Sequence, residues 1–138
     1  MSLIKVGITG SRYGWNAMQA ESFRTLMGGL RVSEFHYGDC VGVDEDSFDW
    51  VTCNMNSTLT VSHPPTITRF QAYTEPDETR PALPYMIRNR AIVDSVDLMV
   101  VIPRERSETR RSGTWTTWRY AKKKGTLIVL MPGHEKGD

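Results

Sequence analysis

The sequence predicts an α/β domain, a Rossmann-like three-layer sandwich built on a mainly parallel sheet of five strands. Short apolar runs of strand length alternate with stretches of helical periodicity, the arrangement that gives parallel sheets covered by helices on both faces. Three glycine-containing loops, at 10–14, 38–42 and 112–114, fall where predicted strands end. Because ligands of such sheets bind at the carboxyl ends of the strands, the three loops together predict a ligand site.

The first half of the chain contains three of these strands and two helices. The strands are residues 3–9, 32–37 and 58–62, each an apolar run between polar or glycine-rich segments. Phe23 and Met27 recur at helical spacing after the first strand, so a helix is expected there. A second helix opens with the three carboxylates of 44–46.

The second half begins with residues 64–83, which are rich in Thr and Pro and long for a connection in a compact domain. Such a loop is usually a lid, an oligomer contact or disordered. Pro84 suits the first turn of a helix that runs to about Asp94. A strand at 98–102, a polar loop, a helix at 115–124 and a last strand at 126–131 complete the pattern. We expect a single domain over 1–132 and a frayed tail over 133–138.

Composition narrows the function classes. The net charge of +1 excludes a polyanion-binding tail, although residues 87–125 carry ten Lys/Arg against four Asp/Glu and residues 1–86 carry six against ten. The two cysteines and three histidines lack the spacing of metal ligands, so no metal and no resident cofactor are expected. The sequence shows neither a signal peptide nor an apolar run long enough to cross a membrane, which makes the cytoplasm the expected location.

The stretch around Ser112, Gly113 and Thr114 is the strongest candidate for anion binding. A small-residue turn between a strand and a helix gathers free backbone N–H groups and the positive end of the helix dipole. Arg111 precedes this turn, and the first helical turn has no carboxylate. The alternative is an ordinary N-cap at Ser112 or Thr114 with Gly113 as a turn residue.

Four motifs resemble the SLOG superfamily of Rossmann-like proteins, which includes the DNA-processing protein A family and the Lonely Guy phosphoribohydrolases. The motifs are GITGSR at 7–12, GDCVGVD at 38–44, RNR at 88–90, and SGT at 112–114 with Thr117 and Ala121. The resemblance extends from Ile4 to Pro132 and is most specific after Arg88, where the order is close to the DNA-processing pattern. The first half is closer to small stand-alone members.

The resemblance implies a nucleotide or nucleotide-derived ligand, with phosphate on the 112–114 turn and on the 10–12 loop. The site residues it implies are Gly10, Ser11, Arg12, Gly38, Asp39, Asp44, Arg88, Asn89, Ser112, Gly113, Thr114 and Thr117. The guanidiniums of Arg12 and Arg88 match phosphate oxygens, and Asn89 can contact a base or ribose edge. Asp44 would accept hydrogen bonds from ribose or a base, because a carboxylate repels phosphate; a plain helix-capping role is the alternative. Family members commonly pair, so a homodimer or higher oligomer is expected, through the helix at 84–94 or the Trp115–Trp118 surface.

Three functions of different classes follow. The first is a sensor, carrier or sequestering protein that binds a nucleoside phosphate. The second is a hydrolase of the N-glycosidic bond in nucleoside 5′-monophosphates; it ranks lower because Thr117 stands where those enzymes have glutamate, which leaves the catalytic residues unknown and favours a protein that is not an enzyme. The third is binding of single-strand DNA, for which a basic track could begin at Arg104, Arg106, Arg110 and Arg111.

Overall fold

The computed structural model describes residues 2–137, which form a six-stranded sheet flanked by four helices. The strands are β1 (Ile4–Gly10), β2 (Val32–Tyr37), β3 (Leu59–Ser62), β4 (Glu78–Thr79), β5 (Leu98–Ile102) and β6 (Leu127–Leu130). The helices are α1 (Ala17–Gly28), α2 (Val43–Asn54), α3 (Tyr85–Ser95) and α4 (Gly113–Lys124). The strand order is β4-β3-β2-β1-β5-β6, and all neighbouring strands are parallel. The predicted fold class is therefore confirmed.

The sixth strand is the short β4, which lies inside the segment expected to be a loop. It pairs with the end of β3, Val61 opposite Glu78. The carboxylate of Asp77 fixes this pairing because it accepts hydrogen bonds from the backbone N–H and the hydroxyl of Thr60, at 2.8 and 3.0 Å. A strand of two residues has no periodicity, so the sequence pattern cannot reveal it.

The sheet buries an apolar core on each face, and β5 supplies side chains to both. Leu98, Val100 and Ile102 belong to the core beneath α1 and α2. Met99 points the other way and packs with Ile92 and Ala121, from α3 and α4. This alternation follows from the two-residue period of a strand and explains why all of β5 is apolar. Helices therefore cover both faces of the sheet, which gives the three-layer arrangement.

Side chains cap the N-termini of α1 and α4, and a glycine ends α4. Asn16 caps α1 in a reciprocal capping box with Gln19. The Gln19 amide also donates to the carbonyls of Pro103 and Met131, at 2.8 and 2.9 Å, which ties α1 to the ends of β5 and β6. α4 ends at Gly125, whose φ of 82° is the left-handed cap that favours glycine. Among residues 2–137, no helix is long and apolar enough to cross a bilayer.

The expectation of a frayed tail is wrong for the part of it that the structure describes. The backbone N–H of Gly133 donates to the carbonyl of Glu105 at 3.0 Å, and the N–H of Arg106 donates to the carbonyl of Glu135 at 2.9 Å. A Cβ atom on Gly133 would lie 2.0 Å from the Arg104 carbonyl oxygen, so only glycine fits this close approach. The tail therefore packs along the loop between β5 and α4.

Trp115 does not form a surface, contrary to one of the two suggested oligomer contacts. Its side chain is only 2% exposed. Its indole N–H donates to Glu105 at 2.9 Å, and its ring meets Trp118 edge to face at 5.3 Å. A side chain satisfied and buried within one chain has no contact area left for a partner. Homo-oligomer formation itself stays a prediction.

Candidate functional site

A pocket of about 580 Å³ opens at the carboxyl ends of β1, β2 and β5, beside the start of α4. Its volume is within the range of small-molecule sites. The structure brings ten of the twelve residues implied by the resemblance into its wall. These are Gly10, Ser11, Arg12, Gly38, Asp44, Arg88, Asn89, Ser112, Gly113 and Thr114.

The start of α4 supplies unpaired amide donors to the pocket. Ser112 is the N-cap, and its Oγ accepts the N–H of Trp115 at 3.2 Å. Among residues 2–137, no group accepts a hydrogen bond from the N–H of Gly113 or Thr114. No acidic side chain lies in the first turn. The positive end of this helix is therefore available to an anion in the pocket.

The loops after β1 and β2 interlock at the pocket floor. The Ser11 carbonyl accepts the N–H of Val43 at 2.9 Å, and the Ser11 N–H donates to the Ile102 carbonyl at 3.1 Å. Gly42 has a φ of 92°, and a Cβ there would lie 2.4 Å from the Ser11 oxygen. Gly10 is equally constrained, since a Cβ would lie 2.5 Å from Val43. These glycines serve packing, and the Ser11 amide is engaged within the protein rather than open to phosphate.

Arg88 is an internal brace, which changes the role expected for it. Its side chain is 4% exposed. Its Nη1 donates to the carbonyls of Gly38 and His63, and its Nε donates to Asn89 at 2.7 Å. Gly38 allows this approach, because a Cβ there would lie 2.7 Å from the guanidinium carbon. Most N–H donors of the Arg88 guanidinium are therefore bonded within the protein, whereas the Asn89 side-chain amide keeps its own N–H donors.

Asp44 faces Arg88 from the first turn of α2. Its carboxylate accepts the N–H of Cys40 at 3.2 Å, and its side chain is 8% exposed. Burial raises the pKa of Asp44 to about 6, although the charge of Arg88 acts in the opposite direction. Burial likewise raises the pKa of the neighbouring Cys40 thiol, and the Asp44 carboxylate adds to that rise. The floor therefore holds a buried carboxyl group near a buried guanidinium, together with a neutral thiol, and these groups are suited to hydrogen bonding with the polar edge of a ligand.

The rim of the pocket is strongly cationic. The charged side chains outside the Arg88–Asp44 pair are Arg12, Arg104, Arg111, Lys136 and Glu105. Within residues 2–137, no carboxylate lies within salt-bridge distance of any of these four cations. Glu105 accepts the Trp115 indole N–H instead. Four positive charges against the single carboxylate of Glu105 leave a net charge of +3 around the opening, which attracts an anion.

Asp39 and Thr117 lie outside the pocket wall. Thr117 is 1% exposed, and its hydroxyl donates to the Gly113 carbonyl at 2.8 Å, so it supports the first turn of α4. Asp39 is 3% exposed, with a positive φ of 55°. Its carboxylate accepts hydrogen bonds from the Thr74 N–H and hydroxyl, at 3.0 and 2.6 Å, and from Gln71 at 3.1 Å. Asp39 therefore anchors the 64–83 segment beside the site.

No protein-family model, curated protein or solved structure gives a significant match to this chain. The SLOG resemblance therefore stays a prediction carried by the four motifs.

We expect Asp39→Ala to loosen the 64–83 segment. The change leaves the Thr74 amide and hydroxyl without their buried acceptor, which should cost about 1–3 kcal/mol of folding free energy. Limited proteolysis should then cut within 64–83 faster, and urea denaturation should report the loss. Glu75→Ala is the matched control, since Glu75 is an exposed acid of the same segment. Equal cleavage of both variants would contradict the anchoring role of Asp39.

Several residues that the sequence did not assign to the ligand also line the pocket, and five of them carry aromatic or charged side chains. They are Tyr13, Phe70, Tyr85, Glu105 and Lys136. Phe70 and Lys136 come from segments with no periodic pattern, the long connection and the tail, so no sequence signal places them. Tyr13 directly follows the GITGSR motif, and an aromatic residue next to a glycine loop was a usable signal.

Proposed function

We propose that this protein binds a nucleoside phosphate in the pocket at the carboxyl ends of β1, β2 and β5. One observation carries the proposal: within residues 2–137, amides at the start of α4 without an acceptor share the pocket with four rim cations that have no carboxylate at salt-bridge distance. Phosphate is the ligand group that suits both donor types together. The half-buried side chains of Tyr85 and Met86 also line the pocket and provide a largely apolar surface for a base.

In this proposal the phosphate lies against Gly113 and Thr114, with Arg111 and Arg12 beside it. A Cβ on Gly113 would meet no atom within 4 Å, so the glycine keeps space open rather than fitting a packed contact. The Asn89 amide and the floor at Asp44 are left for the sugar or the base. A sensor, carrier or sequestering role needs only this binding.

The test compares AMP with adenosine by calorimetry. Arg111→Ala should weaken AMP binding about tenfold to a hundredfold, the value of one charge-assisted hydrogen bond, and should change adenosine binding little. Gly113→Val should abolish AMP binding and leave the fold intact, because its side chain enters open space at the pocket wall. Arg106→Ala is the control, since Arg106 belongs to the same loop but does not line the pocket. Equal losses for AMP and adenosine would contradict the proposal.

A hydrolase of the N-glycosidic bond is the second candidate, because the pocket does contain a carboxylate besides Asp44. Glu105 lines the wall, oriented by the Trp115 indole N–H. We expect no appreciable hydrolysis, since Thr117 is buried in α4 and cannot act as a carboxylate. Release of free base from AMP at enzymatic rates, and its loss in Glu105→Gln, would establish the hydrolase instead.

A further inference from the structure

Five side chains at the pocket mouth alternate between guanidinium and aromatic ring. In spatial order they are Arg69, Phe70, Arg12, Tyr13 and Arg104, hereafter the arginine–aromatic ladder. The Phe70 ring packs against Arg69 and Arg12, with guanidinium carbons 5.0 and 4.2 Å from its centroid. The Tyr13 ring packs against Arg12 and Arg104, at 5.1 and 4.4 Å. Cation–π contacts at these distances fix the guanidiniums in a row.

The ladder carries three positive charges and no compensating acid. Within residues 2–137, no carboxylate lies within salt-bridge distance of Arg69, Arg12 or Arg104. Tyr13 is 65% exposed, so the row faces solvent. Holding like charges in line costs free energy, and an anion with several charges would recover it.

The ladder is held in place from three chain segments. Arg12 lies on the β1–α1 loop, locked by the bond between the Val43 N–H and the Ser11 carbonyl. Phe70 lies on the 64–83 segment, where its carbonyl accepts the Val41 N–H at 2.8 Å. The Arg104 carbonyl accepts the Glu135 N–H at 3.2 Å. A site that several fixed segments build loses little entropy on binding.

We propose that the ladder binds a phosphate chain that extends out of the pocket, so that the ligand is a nucleoside di- or triphosphate. This inference rests on the proposed function, which places the first phosphate at Gly113 and Thr114. Arg12 and Arg104 line the same pocket and therefore begin the row where that phosphate ends. The guanidinium edges then donate to successive phosphate groups, for which their fork geometry is suited.

The ladder does not suit the bases of single-strand nucleic acid. Stacking platforms in such proteins need uncovered ring faces. Phe70 is half-buried between two guanidiniums, so Tyr13 alone, 65% exposed, could offer a ring face to a base, whereas successive bases need several such rings. The row therefore recognises phosphate and not base.

Calorimetry with AMP, ADP and ATP tests the inference. Affinity of the unaltered protein should rise about tenfold with each added phosphate. In Arg69→Gln and Arg104→Gln the ratio of ATP to AMP affinity should fall by about tenfold or more, while Arg106→Gln keeps the ratio of the unaltered protein. The ratio isolates the ladder, because a general loss of structure would weaken all three nucleotides together.

The outcomes separate the two proposals. Binding of AMP without any gain for ADP or ATP would overturn the ladder and leave the pocket standing. No binding of any nucleotide would overturn both. Tight binding of oligothymidylate with a steep dependence on salt, and weak binding of ATP, would show that the row serves single-strand nucleic acid and would also overturn the ladder inference.

Discussion

Arg88→Met should lower the free energy of unfolding by about 2–6 kcal/mol, because two buried carbonyl groups lose their donor at about 1–3 kcal/mol each. The change removes the donors to the carbonyls of Gly38 and His63. It also leaves Asp44 buried without the cation that faces it. Urea denaturation of the purified variant measures the loss, and we expect it to be the largest of any arginine substitution in this chain.

Two further variants separate the effect of the charge on Asp44 from the loss of the Arg88 side chain itself. Adding Asp44→Asn to Arg88→Met should cost less than the sum of the single changes, because the uncompensated carboxylate is gone; the coupling should be about 1–3 kcal/mol. Arg90→Met is the matched control, an exposed arginine on the same helix, and should change stability by about 0.5 kcal/mol or less. If Arg88→Met were as stable as the unaltered protein and lost only nucleotide binding, the guanidinium would be a ligand contact and not a brace.

The sequence predicted the succession of strands and helices along the chain because each main strand carries apolar side chains that must be buried. The β5 run from Leu98 to Ile102 is fully buried on both faces, and such runs are visible in any sequence. β4 was missed because its two residues are exposed and depend on Asp77, a side chain outside the strand. The ordered tail was missed for a similar reason, since backbone hydrogen bonds from Gly133 leave no mark on composition.

The sequence predicted well which residues lie near the pocket. It predicted less well what role each of these residues has there. The RNR motif placed Arg88 at the pocket wall, but sequence spacing cannot tell a guanidinium that faces a ligand from one that reaches backbone carbonyls. Burial decides between these roles, and burial depends on Gly38 having no side chain where the guanidinium passes. Asp39 shows the same limit, since its partners lie some thirty residues away, at Gln71 and Thr74.

The stability of the protein should fall as the pH drops below about 6.5, because two buried histidines are held neutral. The His36 ring joins the Glu34 carboxylate at 2.7 Å and the His63 ring at 2.8 Å. A neutral His36 that donates to Glu34 accepts the N–H of His63 at its other ring nitrogen, so these hydrogen bonds are all satisfied with both rings neutral. Burial lowers the pKa of His63 to about 3 and also lowers that of His36. Arg80 and Arg88 add to the lowering at His63.

The direction of this pH dependence follows from the number of protons that the folded and unfolded chains bind. Between pH 6.5 and about 3 the unfolded chain binds a proton at His63 that the folded chain does not bind, and the lowered pKa of His36 acts in the same direction. This part of the stability is therefore full above pH 6.5 and is lost on acidification, by about 2–4 kcal/mol. Asp44 acts oppositely, because its pKa is raised from 3.8 to about 6 and the folded chain takes up its proton first. Urea denaturation from pH 7 to 4 should therefore show a steeper loss in Asp44→Asn than in the unaltered protein. His63→Gln, which keeps a donor for His36, should show a shallower one, and the exposed His134→Gln should show no change. Identical pH slopes for the unaltered protein and His63→Gln would mean that the histidine pair does not govern acid stability.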